Sequence, residues 1–150
     1  MSRSAAPAVA PPLSPLSYLA FDFGTRRVGV ATGNSLTGTA TPLTTIEAQG
    51  ESRMAAIGRL IAEWRPSALV VGVPFHPDGA PHVNTERARR FARELRARFR
   101  LDVLEVDERY TTTAAKSAGS ADLDAAAAAI ILEQHLAADA SSKLAAEDDR

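Results

Sequence analysis

The sequence predicts an α/β protein: a five-stranded mixed sheet in strand order 3-2-1-4-5, flanked by helices. Three observations lead there. From Tyr18 to Ile46 the apolar residues recur with a period of two, in three runs joined by short Gly-, Thr- or Asn-containing turns; antiparallel hairpins are the natural connection for such runs. From Met54 onward the period becomes helical, and helical segments alternate with short apolar runs, as in units whose strands lie parallel. Right-handed crossovers then place the later strands beside the first, on the edge away from the third.

The elements follow in order. Residues 1–17 are Ala, Pro and Ser with little to bury, a composition expected of a disordered N-terminal tail. Tyr18 to Gly24 sets Leu19, Phe21 and Phe23 on one face and Ala20 and Asp22 on the other. Arg27 to Gly33 places Val28 and Val30 opposite small residues, and Thr-rich Thr39 to Ile46 completes the hairpins. Met54, Ile57, Leu60, Ile61 and Trp64 form a helical stripe that Pro66 stops. Ala68 to Val73 (ALVVGV) is continuously apolar, as in a strand dry on both faces. A loop from Pro74 to Pro81 carries a Pro-Asp-Gly turn signal. Glu86 to Phe99 is a helix with Ala88, Phe91, Ala92, Leu95 and Phe99 on its apolar stripe, and Leu101 to Val106 is a short strand. Thr111 to Lys116 reads as a helical turn, and Asp124 to Leu136 as an Ala-rich helix. The domain spans residues 18–138, with 139–150 as a flexible C-terminal tail. The order β-β-β-α-β-α-β-α is that of the ribonuclease H-like fold.

Composition narrows the function. A chain of 150 residues, 45% apolar and 23% charged, is ordinary for one soluble domain and needs no covalent staple. A net charge of −1 excludes a wholesale basic coat but not a local basic face. The absence of cysteine removes disulfide scaffolds, thiol nucleophiles and Cys-ligated zinc or iron–sulfur sites. No apolar run approaches the roughly 20 residues of a membrane span, and Pro7, Pro11, Pro12 and Pro15 interrupt any secretory leader, so the cytoplasm is the expected compartment. Fifteen Arg against two Lys, with thirty Ala, reads as codon bias before it reads as chemistry.

Three acidic positions stand out. Asp22 lies inside an apolar strand, where a charge is costly unless paired or bound to a metal; the alternative is a solvent-facing acid pairing with Arg26 or Arg27. Gly24 and Thr25 follow at once and make a polar turn beside it. Asp107 and Glu108 end the last strand, where ligands collect in open α/β sheets. The Thr111–Thr113 hydroxyls beyond them suit phosphate contacts or a helix cap. Asp124 shares a helical side with Ala128, Ile131 and Leu132, hence the buried face, whereas Asp122 reads as an N-cap. The Ala run 125–129 lets this helix lie close to the sheet and bring Asp124 toward Asp22. Three acids on separate elements suit a hard cation, Mg2+ or Mn2+, and two such ions would promote phosphodiester hydrolysis. His76, His82 and His135 read as loop or surface residues. Seven Arg between Arg87 and Arg100, Arg89, Arg93 and Arg96 among them, form either a phosphate-tracking surface or the solvated face of an amphipathic helix.

The segments AFDFGTRRVGVATG, LVVGVPFHPDG, DERYTTTAA and LDAAAAAIILEQHL resemble, in that order, the signatures of the YqgF/RuvX family, over roughly Tyr18 to Leu136. The resemblance implies a ribonuclease H-like nuclease related to Holliday junction resolvases and concerned with the 5′ end of pre-16S rRNA. It implies a catalytic and metal-binding set of Asp22, Glu108 and Asp124, with Mg2+ or Mn2+ as cofactor. The polar turn after Asp22 and the segment after Glu108 supply the candidates for substrate binding, Thr25, Arg26, Arg109 and Thr111. The resemblance implies rRNA precursor, structured DNA and ribosomal precursor particles as partners, no membrane, and a homodimer if junctions are resolved. The segment before Asp124 is shorter than the family's usual helix and basic loop, and its basic residues reduce to Lys116. Two readings from other classes compete. A sugar-kinase-like phosphotransferase shares the Asp-Phe-Gly-Thr turn but needs two such domains; a non-catalytic ribosome-assembly module would keep the fold alone.

Overall fold

In the computed structural model, which describes residues 16–108 and 121–148, the chain runs β1 (Ser17–Asp22), β2 (Val28–Asn34), β3 (Ala40–Ile46), α1 (Gly50–Trp64), β4 (Ala68–Val73), α2 (Thr85–Phe99), β5 (Asp102–Asp107) and α3 (Ala121–Asp148). The sheet order is β3-β2-β1-β4-β5. β1–β2 and β2–β3 pair antiparallel, and β1–β4 and β4–β5 pair parallel. Each predicted strand is present, displaced at its ends by a residue or two, the usual scatter of such boundaries. All six residues of β4 are buried, as its continuous apolar run requires.

Period-two alternation sorts the core into two layers. Leu19, Phe21, Leu69 and Val71 meet Ile57 of α1 and Phe91 and Leu95 of α2 on one face. Tyr18, Ala20, Ala68 and Val70 meet Ile131, Leu132 and Leu136 of α3 on the other. Each large side chain removed from water contributes about 1.5–3 kcal/mol. Ala31, Ala128 and Ala129 form a small cluster where α3 crosses β2. Among the described residues no helix is long and apolar enough to cross a membrane.

Three features depart from the sequence reading. First, α3 begins before Asp124 and continues to Asp148, through residues whose polarity alone suggests a tail. Nothing in 121–148 is Gly or Pro, so no residue there breaks the helix. Asp122 consequently lies within the helix and not at its cap. Second, Trp64 is 41% exposed despite its place on the α1 stripe. It sits in the last turn beside Ser17 and Pro66, at the rim of the sheet. Third, Arg53 is buried in α1. It donates Nε to Ala48 O at 2.8 Å and Nη2 to Thr25 O at 3.2 Å, and its guanidinium lies 5.5 Å from the Phe23 ring. Burial lowers its pKa from the ordinary arginine value. The helical turn expected at Thr111–Lys116 lies outside the described residues.

α1 and α2 are also clamped on their outer sides. Arg98 donates Nη1 to Glu51 Oε1 at 2.7 Å, and its Nη2 meets Glu51 Oε2. The hydrogen bonds from Arg98 hold the Glu51 pKa below the ordinary glutamate value. A folded-state pKa below the unfolded one means a contribution present above the ordinary value and lost as pH falls through the lowered one. Glu51→Gln should therefore cost a little stability in urea titrations at neutral pH and none in strong acid. An equal loss at both would show that the ion pair contributes nothing.

Candidate active site

Asp22 is the last residue of β1 and shares its face with Tyr18 and Ala20, the face that α3 covers. It is only 3% exposed. Its cross-strand partners are Gly29 on β2 and Gly72 on β4, and directly paired residues point to the same side of a sheet. Both glycines are occupied by approach from above. A Cβ on Gly29 would stand 1.9 Å from Asp124 O, and one on Gly72 would stand 2.7 Å from Glu108 Oε2 and 2.5 Å from Ile131 Cδ1. The Asp22 carboxylate thus rises between the start of α3 on one side and the Glu108 carboxyl on the other. Gly in a strand interior marks such an approach. VGVATG and ALVVGV carried that signal in the sequence, but it became specific only once the register set both glycines opposite Asp22.

Glu108 follows β5 directly. Its N–H donates to Val73 O at 2.9 Å, which prolongs the parallel ladder by one residue and turns its side chain inward. Glu108 is 5% exposed while Asp107 beside it is exposed, so strand alternation selects which acid of the pair faces the site. Asp124 sits in the first turns of α3, and its Oδ2 lies 2.9 Å from Arg27 Nε. Arg27 thus pairs with Asp124. As the side chains stand, no three His, Asp or Glu among the described residues form a metal-binding cluster. The donors gathered on this face are nonetheless all carboxylate oxygens, the chemistry that hard divalent cations prefer.

Thr25 and Arg26 are exposed on the β1–β2 turn. With Arg27, Glu47, Gln49 and Asp124 they line an open cavity of about 460 Å³, so both substrate-binding residues expected on this turn stand beside Asp124. Arg109 and Thr111 lie outside the described residues. The arginines of α2 depart from a uniform basic face. Arg89 lies 3.6 Å from Glu105 and 5.2 Å from the Phe75 ring, Arg93 pairs with Glu86 at 2.7 Å, and Arg96 donates to Val103 O at 2.9 Å. Arg89, Arg93 and Arg96 thus spend their charge and donors on partners within the chain.

Comparison with known proteins places the chain in a family and its fold among solved structures. The family described as "RuvX: Holliday junction resolvase" matches residues 16–138. A protein of Polaromonas sp. named "Putative pre-16S rRNA nuclease" is 65% identical over 120 residues, 80% of this chain and 87% of the relative. The protein of the same name from Albidiferax ferrireducens is 61% identical over 80% of this chain and 77% of its own length. Among solved structures, Thermus thermophilus RuvC superposes with a TM-score of 0.52 at 14% identity, covering 84% of this chain and 97% of RuvC. The same protein in complex with a Holliday junction gives 0.51 at 17%, covering 82% and 94%. At these identities the likeness shows the fold, which is ribonuclease H-like.

The two glycines should respond differently to a methyl group. Gly29→Ala would press on the Asp124 backbone, which cannot yield without moving α3, and should cost about 3 kcal/mol or more. Gly72→Ala would first meet side-chain ends, Ile131 Cδ1 and the Glu108 carboxyl. It should cost about 1–3 kcal/mol and chiefly displace Glu108. Urea unfolding of both variants checks this; Gly72→Ala emerging as the more damaging would contradict the close packing of α3 on β2.

Proposed function

The chain belongs to the RuvX family, and on that premise we propose that it is a divalent-metal-dependent endonuclease that hydrolyses phosphodiester bonds, its task the maturation of the 5′ end of pre-16S rRNA in ribosome biogenesis. One observation carries the reading: Asp22, Asp124 and Glu108 rise from three separate elements onto one face of the sheet, at neighbouring positions opened by Gly29 and Gly72. The relatives that are 65% and 61% identical carry the matching name.

In this reading Asp22, Glu108 and Asp124 hold Mg2+ or Mn2+. Such an ion, when bound, supplies polarisation of the phosphoryl group and activation of a water. The chain's own residues supply placement. The sheet fixes Asp22 and Glu108 with little freedom, since both are almost wholly buried. Arg27 steadies Asp124 from the β1–β2 turn. Thr25 and Arg26, on the rim of the same cavity, contact phosphates flanking the scissile bond, and Arg109 and Thr111 extend those contacts beyond β5. The substrate is an rRNA precursor within ribosomal precursor particles, in the cytoplasm. A four-way DNA junction is the second substrate, favoured by the family's description; it requires two active sites and hence a homodimer.

The test is cleavage of precursor rRNA and of a four-way junction, with and without Mn2+. The wild-type protein should cut the precursor only with metal. Asp22→Asn keeps the size of the side chain and removes its charge, so cleavage should fall to background while the urea midpoint holds or rises. Asp122→Asn should leave cleavage nearly unchanged. Metal-dependent cleavage that survives Asp22→Asn would remove these acids from the mechanism. Failure to cut any nucleic acid would leave the assembly-module reading in its place.

A further inference from the structure

Of the arginines between Arg87 and Arg100, those at 89, 93, 96 and 98 have partners within the chain. Arg87 and Arg90 are spent differently. Arg87 donates to the neutral Asn84 Oδ1 at 3.3 Å, and Arg90 makes no ion pair among the described residues, although its charge is one of those that hold the Glu86 pKa below the ordinary glutamate value. Both line a cleft of about 340 Å³ between the start of α1 and the first turns of α2. Across it stands Arg53, buried, beside the ring of Phe23. Glu94 is the acid among the residues that line it. Three guanidiniums in one concavity against one carboxylate make an anion-attracting site.

This cleft adjoins the cavity beside Asp124. Thr25 and Gln49 line it, and the same two residues line the cavity that holds Arg26, Arg27 and Asp124. The first cavity lies against α1 and α2, and the second reaches Asp124 of α3, the helix on the other face of the sheet. The path between them crosses the β1–β2 turn at the sheet's edge. Bending a duplex sharply over so short a path costs free energy, which a flexible single strand does not incur.

Resting on the nuclease reading, we propose that the cleft of Arg53, Arg87 and Arg90 binds the phosphodiester backbone of the single-stranded RNA flank that leads away from the scissile bond, over the β1–β2 turn and onto the α1–α2 face. Arg87 and Arg90 contact successive phosphates. Arg53, tied to Ala48 O and Thr25 O, sets the floor of the cleft and couples it to the turn. Phe23 supplies an apolar wall.

The experiment measures binding of a fluorescein-labelled single-stranded RNA oligonucleotide by anisotropy across a salt series, in EDTA so that no cleavage occurs. Each phosphate contact on a single strand contributes a salt slope of about 0.7, so Arg87→Gln/Arg90→Gln should weaken binding and flatten the slope by about 1.4. Arg93→Gln/Arg98→Gln, which removes the same charge from paired positions, should change the slope by well under half as much. A blunt RNA duplex should respond little to the first pair. Arg90→Glu alone should weaken single-strand binding more than Arg90→Gln, and urea midpoints report whether each variant folds. Equal slopes for the wild type and Arg87→Gln/Arg90→Gln would overturn the cleft while leaving the nuclease reading intact. Equal effects of the two double variants would reduce it to diffuse charge attraction and also overturn it. A wild-type protein that binds no RNA would overturn this proposal and the rRNA reading together.

Discussion

The close approach of α3 to the sheet beside Asp22 is the constraint on which the rest depends. A helix normally rides above a sheet at a distance set by side chains on both. Here Gly29 has none, and the helix presents Ala125, Ala127, Ala128 and Ala129, all buried. The Asp124 backbone consequently comes so near to β2 that even a methyl group on Gly29 would collide with it. That approach brings a carboxylate from the helix to the level of a carboxylate on the strand. On the other flank Gly72 leaves room for the Glu108 carboxyl over β4. Two missing Cβ atoms and a run of alanines therefore make the site, and the acids themselves are only what it displays.

The same packing decides where charge is tolerated. Buried carboxylates are costly without a compensating positive group, and the structure supplies cations locally rather than through a basic surface. Arg27 lies against Asp124, and Arg53 is buried beneath the β1–β2 turn with two carbonyl partners. On α2, ion pairs to Glu51, Glu86 and Glu105 bind the helix to its neighbours and to itself. A net charge of −1 thus coexists with a cleft lined by Arg53, Arg87 and Arg90 against Glu94, because most of the other α2 arginines are held by partners within the chain.

Much was legible without coordinates. Period-two alternation on Leu19, Phe21, Val28 and Val30, the continuous apolar run of β4, and the Pro66 stop determined the element order, and crossover handedness then determined the sheet order. The three acids were recognisable singly, Asp22 by its place in an apolar strand and Asp124 by its helical phase. The sequence also determined the family, because four separated motifs occur in the right order. These properties are local, or follow from rules that hold along a chain, so one sequence suffices to read them.

Tertiary structure decided what depends on pairs of residues far apart. It set Gly29 and Gly72 on either side of Asp22, chose Glu108 over Asp107 to face inward, and paired Arg27 with Asp124. It buried Arg53, left Trp64 at the rim, and sorted the arginines of one helix between ion pairs and the α1–α2 cleft. Periodicity reports which face of an element a residue occupies. It does not report which atom of another element stands opposite, because that depends on strand register and on how closely a helix settles onto the sheet.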